Sequence, residues 1–144
     1  MGEGTTRSLP GGKGNAVFHA LTVVFVPEAA ALTDQEWNSA DEIISRALAA
    51  RPAATRRQIN LFLRMVSVLA LVRYGRPLVT LTLERRTRLL ESLGKSRLLL
   101  LRRGVWGVRT LAFMGYYARP EAAASIGYRA SAAGWEARRV PQPR

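Results

Sequence analysis

Apolar residues recur at helical spacing along most of the chain, beginning after a short polar segment. Three of them mark the first helix: Phe18, Leu21 and Phe25. This helix is predicted to begin near Asn15 and to end at Pro27, because proline lacks the backbone donor that a helix interior requires. Residues 1–13 are rich in glycine, contain no apolar period and predict a disordered leader.

The second helix has a well-defined start. Thr33-Asp34-Gln35-Glu36 matches a capping box, in which the Thr33 hydroxyl accepts a hydrogen bond from the Glu36 amide and the Glu36 carboxylate accepts one from the Thr33 amide. The apolar face that follows consists of Trp37, Ala40, Ile44 and Leu48. The helix is predicted to end at Arg51-Pro52, since the residue before a proline disfavours the helical conformation.

The third helix is the most apolar segment of the protein. Thr55-Arg56-Arg57-Gln58 has the spacing of a second capping box, and the segment from Ile59 to Val72 is apolar on nearly all sides. A helix that is apolar all round is a buried one. We therefore expect the helix from Thr55 to Tyr74, about 30 Å long, to be the central element of the domain. Gly75 is predicted to end it in the left-handed conformation.

Two further helices are predicted in the second half of the chain. Thr80 or Thr82 caps a shorter helix that ends at Gly94, with an apolar face formed by Leu83, Leu89, Leu90 and Leu93. Ser96 is predicted to cap a long helix from Arg97 to Ala118. This long helix contains Gly104, Gly107 and Gly115. Because glycine disfavours a helix interior, these residues indicate either the close approach of another helix or a break near Gly104.

Together these elements predict an all-α fold, a single-domain bundle of about five helices around a buried central helix, with irregular N- and C-terminal tails. The helical domain is assigned to residues 14–136, between the leader at 1–13 and a basic tail at 137–144. The chain has 144 residues, of which 48% are hydrophobic. A domain of this size buries a sufficient core without disulfide support.

Catalytic and metal-binding side chains are scarce. The chain has no cysteine and a single histidine, His19. This excludes disulfides, thiolate metal sites and cysteine nucleophiles, and a zinc site would need to consist almost wholly of carboxylates, which zinc rarely accepts. The sequence near His19 has no nucleophile elbow, so we interpret it as an ordinary helix-face residue. No catalytic, cofactor-binding or metal-binding residue is assigned.

Charge is divided unevenly along the chain. Residues 1–50 contain three basic and six acidic side chains, whereas residues 51–144 contain 19 basic and four acidic ones, for a net charge of +12 at pH 7. Every basic residue except Lys13 and Lys95 is an arginine, whose planar guanidinium suits carboxylates, phosphates and protein interfaces. A GC-rich coding sequence produces the same bias without a functional role, and the sequence leaves both explanations open.

Three arginine clusters have the character of a nucleic-acid-binding surface: Arg56-Arg57, Arg85-Arg86-Arg88 and Arg102-Arg103. They lie at helix starts and are interleaved with leucines. Neither an aromatic RNA-binding motif nor helix-turn-helix spacing accompanies them. A solvated or partner-facing surface is therefore favoured over nucleic acid. A third alternative places the Arg-rich, Leu-rich C-terminal helix at an anionic membrane surface.

Aromatic residues are concentrated in the last third of the chain, alongside arginines. Tyr, Trp and Arg are the residue types enriched at the hot spots of protein interfaces. The segment from Tyr116 to Trp135 has little predicted regular structure against which to pack. We therefore predict that a partner protein covers this region, through an interface formed by Trp106, Arg109, Tyr116, Tyr117, Arg119, Tyr128 and Trp135.

Several short motifs follow one another in a recognisable order. They are Phe25-Val26-Pro27-Glu28, Arg73-Tyr74-Gly75-Arg76-Pro77-Leu78, Leu90-Glu91-Ser92-Leu93, and Tyr116-Tyr117-Ala118-Arg119-Pro120-Glu121 with Ile126-Gly127-Tyr128. Over residues 15–136 this order resembles the small third subunit of gluconate 2-dehydrogenase-type flavoprotein complexes. It also resembles helical segments that precede the FAD domain of some glucose-methanol-choline (GMC) oxidoreductases. The chain departs from the family at Arg129-Ala130, where the family often has Pro-Gly.

The resemblance implies a non-catalytic accessory subunit that binds a large FAD-dependent, GMC-like dehydrogenase and holds it folded. The FAD is expected in the partner subunit, and this chain is expected to bind no cofactor of its own. Family members commonly have a twin-Arg export signal, which this sequence lacks. We therefore expect a cytoplasmic complex, with a peripheral membrane contact as a further expectation.

Overall fold

Six α-helices make up most of the computed structural model, which describes residues 13–127. They are α1 (Lys13–Phe25), α2 (Asp34–Ala49), α3 (Ala53–Tyr74), α4 (Leu83–Gly94), α5 (Leu99–Tyr117) and α6 (Pro120–Ser125). Short 3₁₀ helices at Pro27–Ala31 and Leu78–Thr80 follow α1 and α3, and no strand occurs in the described residues. The predicted all-α bundle around a central helix is confirmed, but that central helix is α5 and not α3. The basic tail at 137–144 and all of the leader except Lys13 lie outside the described residues.

A single apolar core joins the helices, and α5 is the helix on which most of the others pack. It contacts α1, α2, α3, α4 and α6. The largest fully buried side chains come from several of these elements: Phe18, Leu21, Val26, Ile44, Val66, Leu78 and Val108. Fully burying a side chain of this kind stabilises a protein by about 1.5–3 kcal/mol. The bundle is therefore held together mainly by apolar contacts made across α5.

Three of the predicted helix ends are confirmed in atomic detail. The Thr33 amide donates to Glu36 Oε2 at 2.8 Å, and the Glu36 amide donates to Thr33 Oγ1 at 3.3 Å, which completes the capping box of α2. Thr82 caps α4 by accepting a hydrogen bond from the Arg85 amide at 3.4 Å. Gly75 ends α3 with φ 66°, in the left-handed conformation that only glycine adopts without strain.

Two predicted caps are wrong. The helix α3 begins at Ala53, two residues before Thr55, because Pro52 is extended and its carbonyl accepts a hydrogen bond from the Thr55 amide at 3.0 Å. Thr55 is thus a residue of the first turn, and no side chain caps this helix. The Ser96 hydroxyl accepts a hydrogen bond from the Leu98 amide at 3.2 Å. This bond closes a local turn, and α5 begins after it, at Leu99.

The prediction that α3 is buried on all sides is also wrong. Its buried side chains lie on one face, where α1, α5 and the second 3₁₀ helix cover them: Phe62, Leu63, Val66 and Ala70. On the opposite face four apolar side chains are exposed to solvent: Leu61, Val68, Leu71 and Val72. Among residues 13–127 too few elements pack on α3 to surround it, so its opposite apolar face is exposed.

The glycines of α5 mark close helix contacts. The helix is continuous from Leu99 to Tyr117, which excludes the predicted alternative of a break near Gly104. A Cβ atom on Gly104 would lie 2.2 Å from Cδ2 of Phe62, and one on Gly115 would lie 2.6 Å from Cδ1 of Ile44. No atom lies within 4 Å of a Cβ built on Gly107. Two of the three glycines therefore allow α3 and α2 to approach α5.

Candidate partner interface

The start of α5 presents a large apolar and basic surface to solvent. Trp106 is 72% exposed, and three consecutive leucines at the helix start, Leu98, Leu99 and Leu100, are each more than half exposed. Arg102 and Arg103 are exposed on the same turns. Leu99, both arginines, Trp106 and Gly107 line an open depression. We call this set of six residues from Leu98 to Trp106 the Trp106 surface.

A run of stacked side chains continues along α5 from the Trp106 surface towards the helix C-terminus. The Arg109 guanidinium lies 5.3 Å from the ring centroid of Phe113, and Phe113 stacks on Tyr117 at 6.0 Å. The Tyr117 ring meets Tyr116 edge-on, with centroids 4.9 Å apart. The rings are partly buried. The structure thus brings together three of the predicted interface residues, Arg109, Tyr116 and Tyr117.

Arg119 is placed differently from the prediction, because its side chain is used inside the chain's own fold. It is 3% exposed, and its Nη1 donates to Glu36 Oε1 at 3.3 Å. Its Nε donates to the Tyr116 carbonyl at 3.2 Å, and the guanidinium lies 4.7 Å from the Tyr116 ring centroid. A buried arginine needs such partners, since an unpaired buried charge is costly. Arg119 therefore joins the end of α5 to the start of α2 and is not available as an interface residue.

The remaining predicted interface residues, Tyr128 and Trp135, lie outside the described residues. Two contributors to the site were missed by sequence reasoning. The exposure of Leu98–Leu100 was not predicted, because the sequence alone does not show which side of a helix its neighbours leave uncovered. Phe113, for which the sequence left a core role and an interface role open, links Arg109 to Tyr117. The spacing of Arg109, Phe113 and Tyr117, four residues apart, was the signal for that stack.

The electrostatic character of α3 and α5 is uniformly positive. No acidic residue occurs between Glu42 and Glu84, or between Glu91 and Glu121. Both helices therefore expose arginines with no carboxylate in the same helix to neutralise them. Their exposed faces combine apolar and positively charged side chains, which favours a partner surface with negative charge.

The arginine cluster at residues 85–88 makes contacts within the chain. Arg86 donates to the carbonyls of Leu81 at 3.0 Å and Ala20 at 3.1 Å, and burial lowers its pKa from the ordinary arginine value. Arg88 forms an ion pair with Glu84 one turn earlier. The Arg85 guanidinium lies 5.8 Å from the ring centroid of Tyr74. These three arginines therefore contact groups within the chain itself. This cluster is weaker support for nucleic-acid binding than a cluster of unpaired arginines would be.

His19 connects α1 to α2. Its Nε2 lies 2.9 Å and 3.0 Å from the two carboxylate oxygens of Asp41, and its ring stacks on Trp37 with centroids 4.0 Å apart. Asn15 donates to the same carboxylate at 3.5 Å. These contacts tie the helices together at a partly buried position. His19 was predicted as a helix-face residue, and the structure adds the side chains that it contacts.

Two kinds of site are absent from the described part of the chain. Among residues 13–127, no three His, Cys, Asp or Glu side chains come together in the way that a metal site requires. In the same range no helix combines the length and the apolar character needed to cross a bilayer.

Glu36 makes the stability of the chain depend on pH. Hydrogen bonds from the Thr33 backbone and hydroxyl, with the positive charge of Arg119, lower the pKa of Glu36 below its ordinary value. The stabilisation is complete above the ordinary carboxyl pKa and is lost as the pH falls through the lowered one. We expect the free energy of unfolding of Glu36→Gln, measured with urea, to be lower than that of the parent at neutral pH. The two free energies should converge as the pH falls through this acidic range. If their difference stays constant down to pH 3, roughly one unit below ordinary carboxyl pKa values, the assignment is contradicted.

No family model matches this chain, and neither does any curated protein or solved structure with which it was compared. The family indicated by the short motifs therefore stays a prediction. The fold and the exposed surfaces are the observations on which a function has to be argued.

Proposed function

We propose that this chain is a non-catalytic accessory subunit that binds and stabilises a large FAD-dependent, GMC-like dehydrogenase. The observation that supports a binding role is the Trp106 surface, where a tryptophan and three leucines stand exposed among arginines. An exposed apolar patch of this kind typically marks an interaction site in a soluble protein. The identity of the partner rests on the motifs from Phe25 to Tyr128 that resemble the dehydrogenase subunit family.

The Trp106 surface has the composition of an interface hot spot. Tryptophan and arginine are the side chains whose removal most often weakens protein complexes, particularly where surrounding residues exclude water. Leu99 lines the same depression as Trp106 and would exclude water from it once a partner covers both. The proposed interface consists of Trp106, Arg109, Tyr116 and Tyr117, extended by Tyr128 and Trp135.

The two chains of the proposed complex have different roles. FAD and the reacting groups belong to the dehydrogenase, and this subunit contributes contact area and rigidity. The complex is proposed to be cytoplasmic and to make a peripheral contact with a membrane. The acid-free helices α3 and α5 support the choice of negatively charged surfaces as partners.

The identity of the partner is tested first by the sequence of the gene adjacent to the one that encodes this chain. We expect it to encode a large protein with an N-terminal Gly-rich dinucleotide-binding motif. Co-expression of the two chains, with an affinity tag on the large one, should yield a complex of fixed stoichiometry that contains FAD. A neighbour with that motif that is purified free of this chain would overturn the proposal.

The interface is tested by the substitution Trp106→Ala. We expect at least about a tenfold loss of affinity for the dehydrogenase, because the substitution removes the largest exposed apolar side chain of the surface. The measurement is titration of the purified flavoprotein with each variant. Val72→Ala is the matched control, since Val72 is a 79% exposed apolar residue on α3. Equal affinities for the two variants would exclude the Trp106 surface as the interface.

Salt dependence separates this proposal from nucleic-acid binding. An apolar interface responds weakly to salt, whereas counterion release makes nucleic-acid binding fall steeply between about 50 and 200 mM salt. Binding of the chain to the flavoprotein should therefore persist over this range. Tight binding to duplex DNA that disappears in the same range would favour the nucleic-acid alternative.

A further inference from the structure

The exposed face of α3 is a second apolar surface, separate from the one assigned to the dehydrogenase. It contains Leu61, Val68, Leu71 and Val72, which are between 53% and 79% exposed. We call these four residues the α3 stripe. They extend over about 16 Å of helix at 1.5 Å per residue. The other half of the helix is buried in the core, so the stripe is held rigidly on the outside of the bundle.

Arginines lie on the same face as the α3 stripe. Arg57 precedes Leu61 by four residues, and Arg64 lies between Leu61 and Val68, so that these side chains follow one line along the helix. Both arginines are exposed. No acidic residue occurs from Glu42 to Glu84, which leaves the whole face positive.

The combination of aliphatic side chains and arginines indicates which kind of partner binds the α3 stripe. A second copy of the chain would bring arginines against arginines with no carboxylate on either helix, which like-charge repulsion opposes. Protein hot spots are enriched in Trp, Tyr and Arg, and Leu and Val are under-represented there. The α3 stripe is purely aliphatic, in contrast to the Trp106 surface.

We infer that the α3 stripe binds the surface of an anionic lipid bilayer, with the helix lying in the plane of the membrane. The aliphatic side chains would enter the boundary between headgroups and acyl chains. Arg57 and Arg64 would extend along the same surface and place their guanidinium groups among the lipid phosphates. The contact is peripheral and requires no spanning segment.

The test is flotation of the purified full-length chain with lipid vesicles through a density gradient, which separates bound protein from aggregates because aggregates sink. We expect the chain to float with vesicles of equimolar phosphatidylcholine and phosphatidylglycerol at about 100 mM salt, where surface potentials are only partly screened. It should stay at the bottom with vesicles of phosphatidylcholine alone. Absence of flotation with the anionic vesicles would overturn the inference.

Two double variants localise the contact. Leu61→Gln with Leu71→Gln removes apolar contact, and Arg57→Gln with Arg64→Gln removes charge, and each is expected to weaken vesicle binding by about tenfold or more. All four positions are exposed, so the fold should be kept, which circular dichroism checks. Full flotation of both variants would contradict the assignment to α3.

Trp106→Ala is the matched control and should float like the parent. Loss of flotation in this variant alone would place the lipid contact at the start of α5 and overturn the inference. Because the vesicles contain no protein, the result does not depend on the dehydrogenase. Loss of dehydrogenase binding in the α3 variants would assign the stripe to the protein partner and would also overturn it.

Discussion

Replacing Gly104 by alanine is expected to destabilise the bundle by about 1–3 kcal/mol, although alanine is the better helix former. The new methyl group would lie 2.2 Å from Cδ2 and 2.7 Å from Cγ of Phe62. The Cγ atom is the root of the ring and not a flexible end, and Phe62 is only 6% exposed. The ring can relieve the overlap only by moving α3 away from α5. Urea unfolding followed by circular dichroism measures the change.

Gly107→Ala in the same helix is the control, and its effect should have the opposite sign. No atom lies within 4 Å of a Cβ built at this position. Alanine there removes the cost of glycine in a helix, and a gain of up to about 1 kcal/mol is expected. The two variants should therefore differ by about 1–4 kcal/mol. Equal effects of the two substitutions would mean that the helices do not approach each other at Gly104.

Arg119→Ala is expected to cost about 2–4 kcal/mol, since it removes hydrogen bonds made by a charged group and the packing of a buried side chain. The hydrogen bonds to Glu36 and to the Tyr116 carbonyl are both lost. The Tyr116 ring also loses the guanidinium 4.7 Å from its centroid. Thermal and urea unfolding of the purified chain test the prediction.

Arg109→Ala provides the comparison for Arg119, because it removes an arginine that also lies over an aromatic ring of α5. Arg109 is exposed, and its guanidinium is 5.3 Å from the Phe113 centroid. An exposed contact of this type contributes less than about 1 kcal/mol. If Arg119→Ala also costs less than about 1 kcal/mol, the structural role of Arg119 is contradicted. A large effect of Arg109→Ala on partner binding alone would agree with the proposed interface.

Local signals in the sequence predict the helix ends that depend on local chemistry. The capping box at Thr33 and Glu36 is complete within four residues, so nothing distant is needed to recognise it. Gly75 ends α3 for the same kind of reason, because only its own backbone conformation is involved. The caps expected at Thr55 and Ser96 failed because Pro52 and a local serine turn compete at those places.

Properties that depend on which helices surround a residue could not be predicted from the sequence. The apolar pattern of α3 indicates burial on all sides, but the number of neighbouring helices decides how much of it is covered. Arg119 was assigned to the interface by residue type, yet its burial depends on Glu36, 83 residues earlier. Trp106 was also assigned to the interface by residue type, and the structure places that side chain on the surface.

The ion pair between Arg119 and Glu36 also has a bearing on how the protein is made. The two residues are separated by 83 positions, and α2 packs mainly on α5. During synthesis α2 therefore stays without its main packing partner, with Ile44 uncovered, until α5 has left the ribosome. Such a late closing contact slows folding and lengthens the time in which the nascent chain is prone to aggregate. Assistance from a chaperone during translation is the expected consequence.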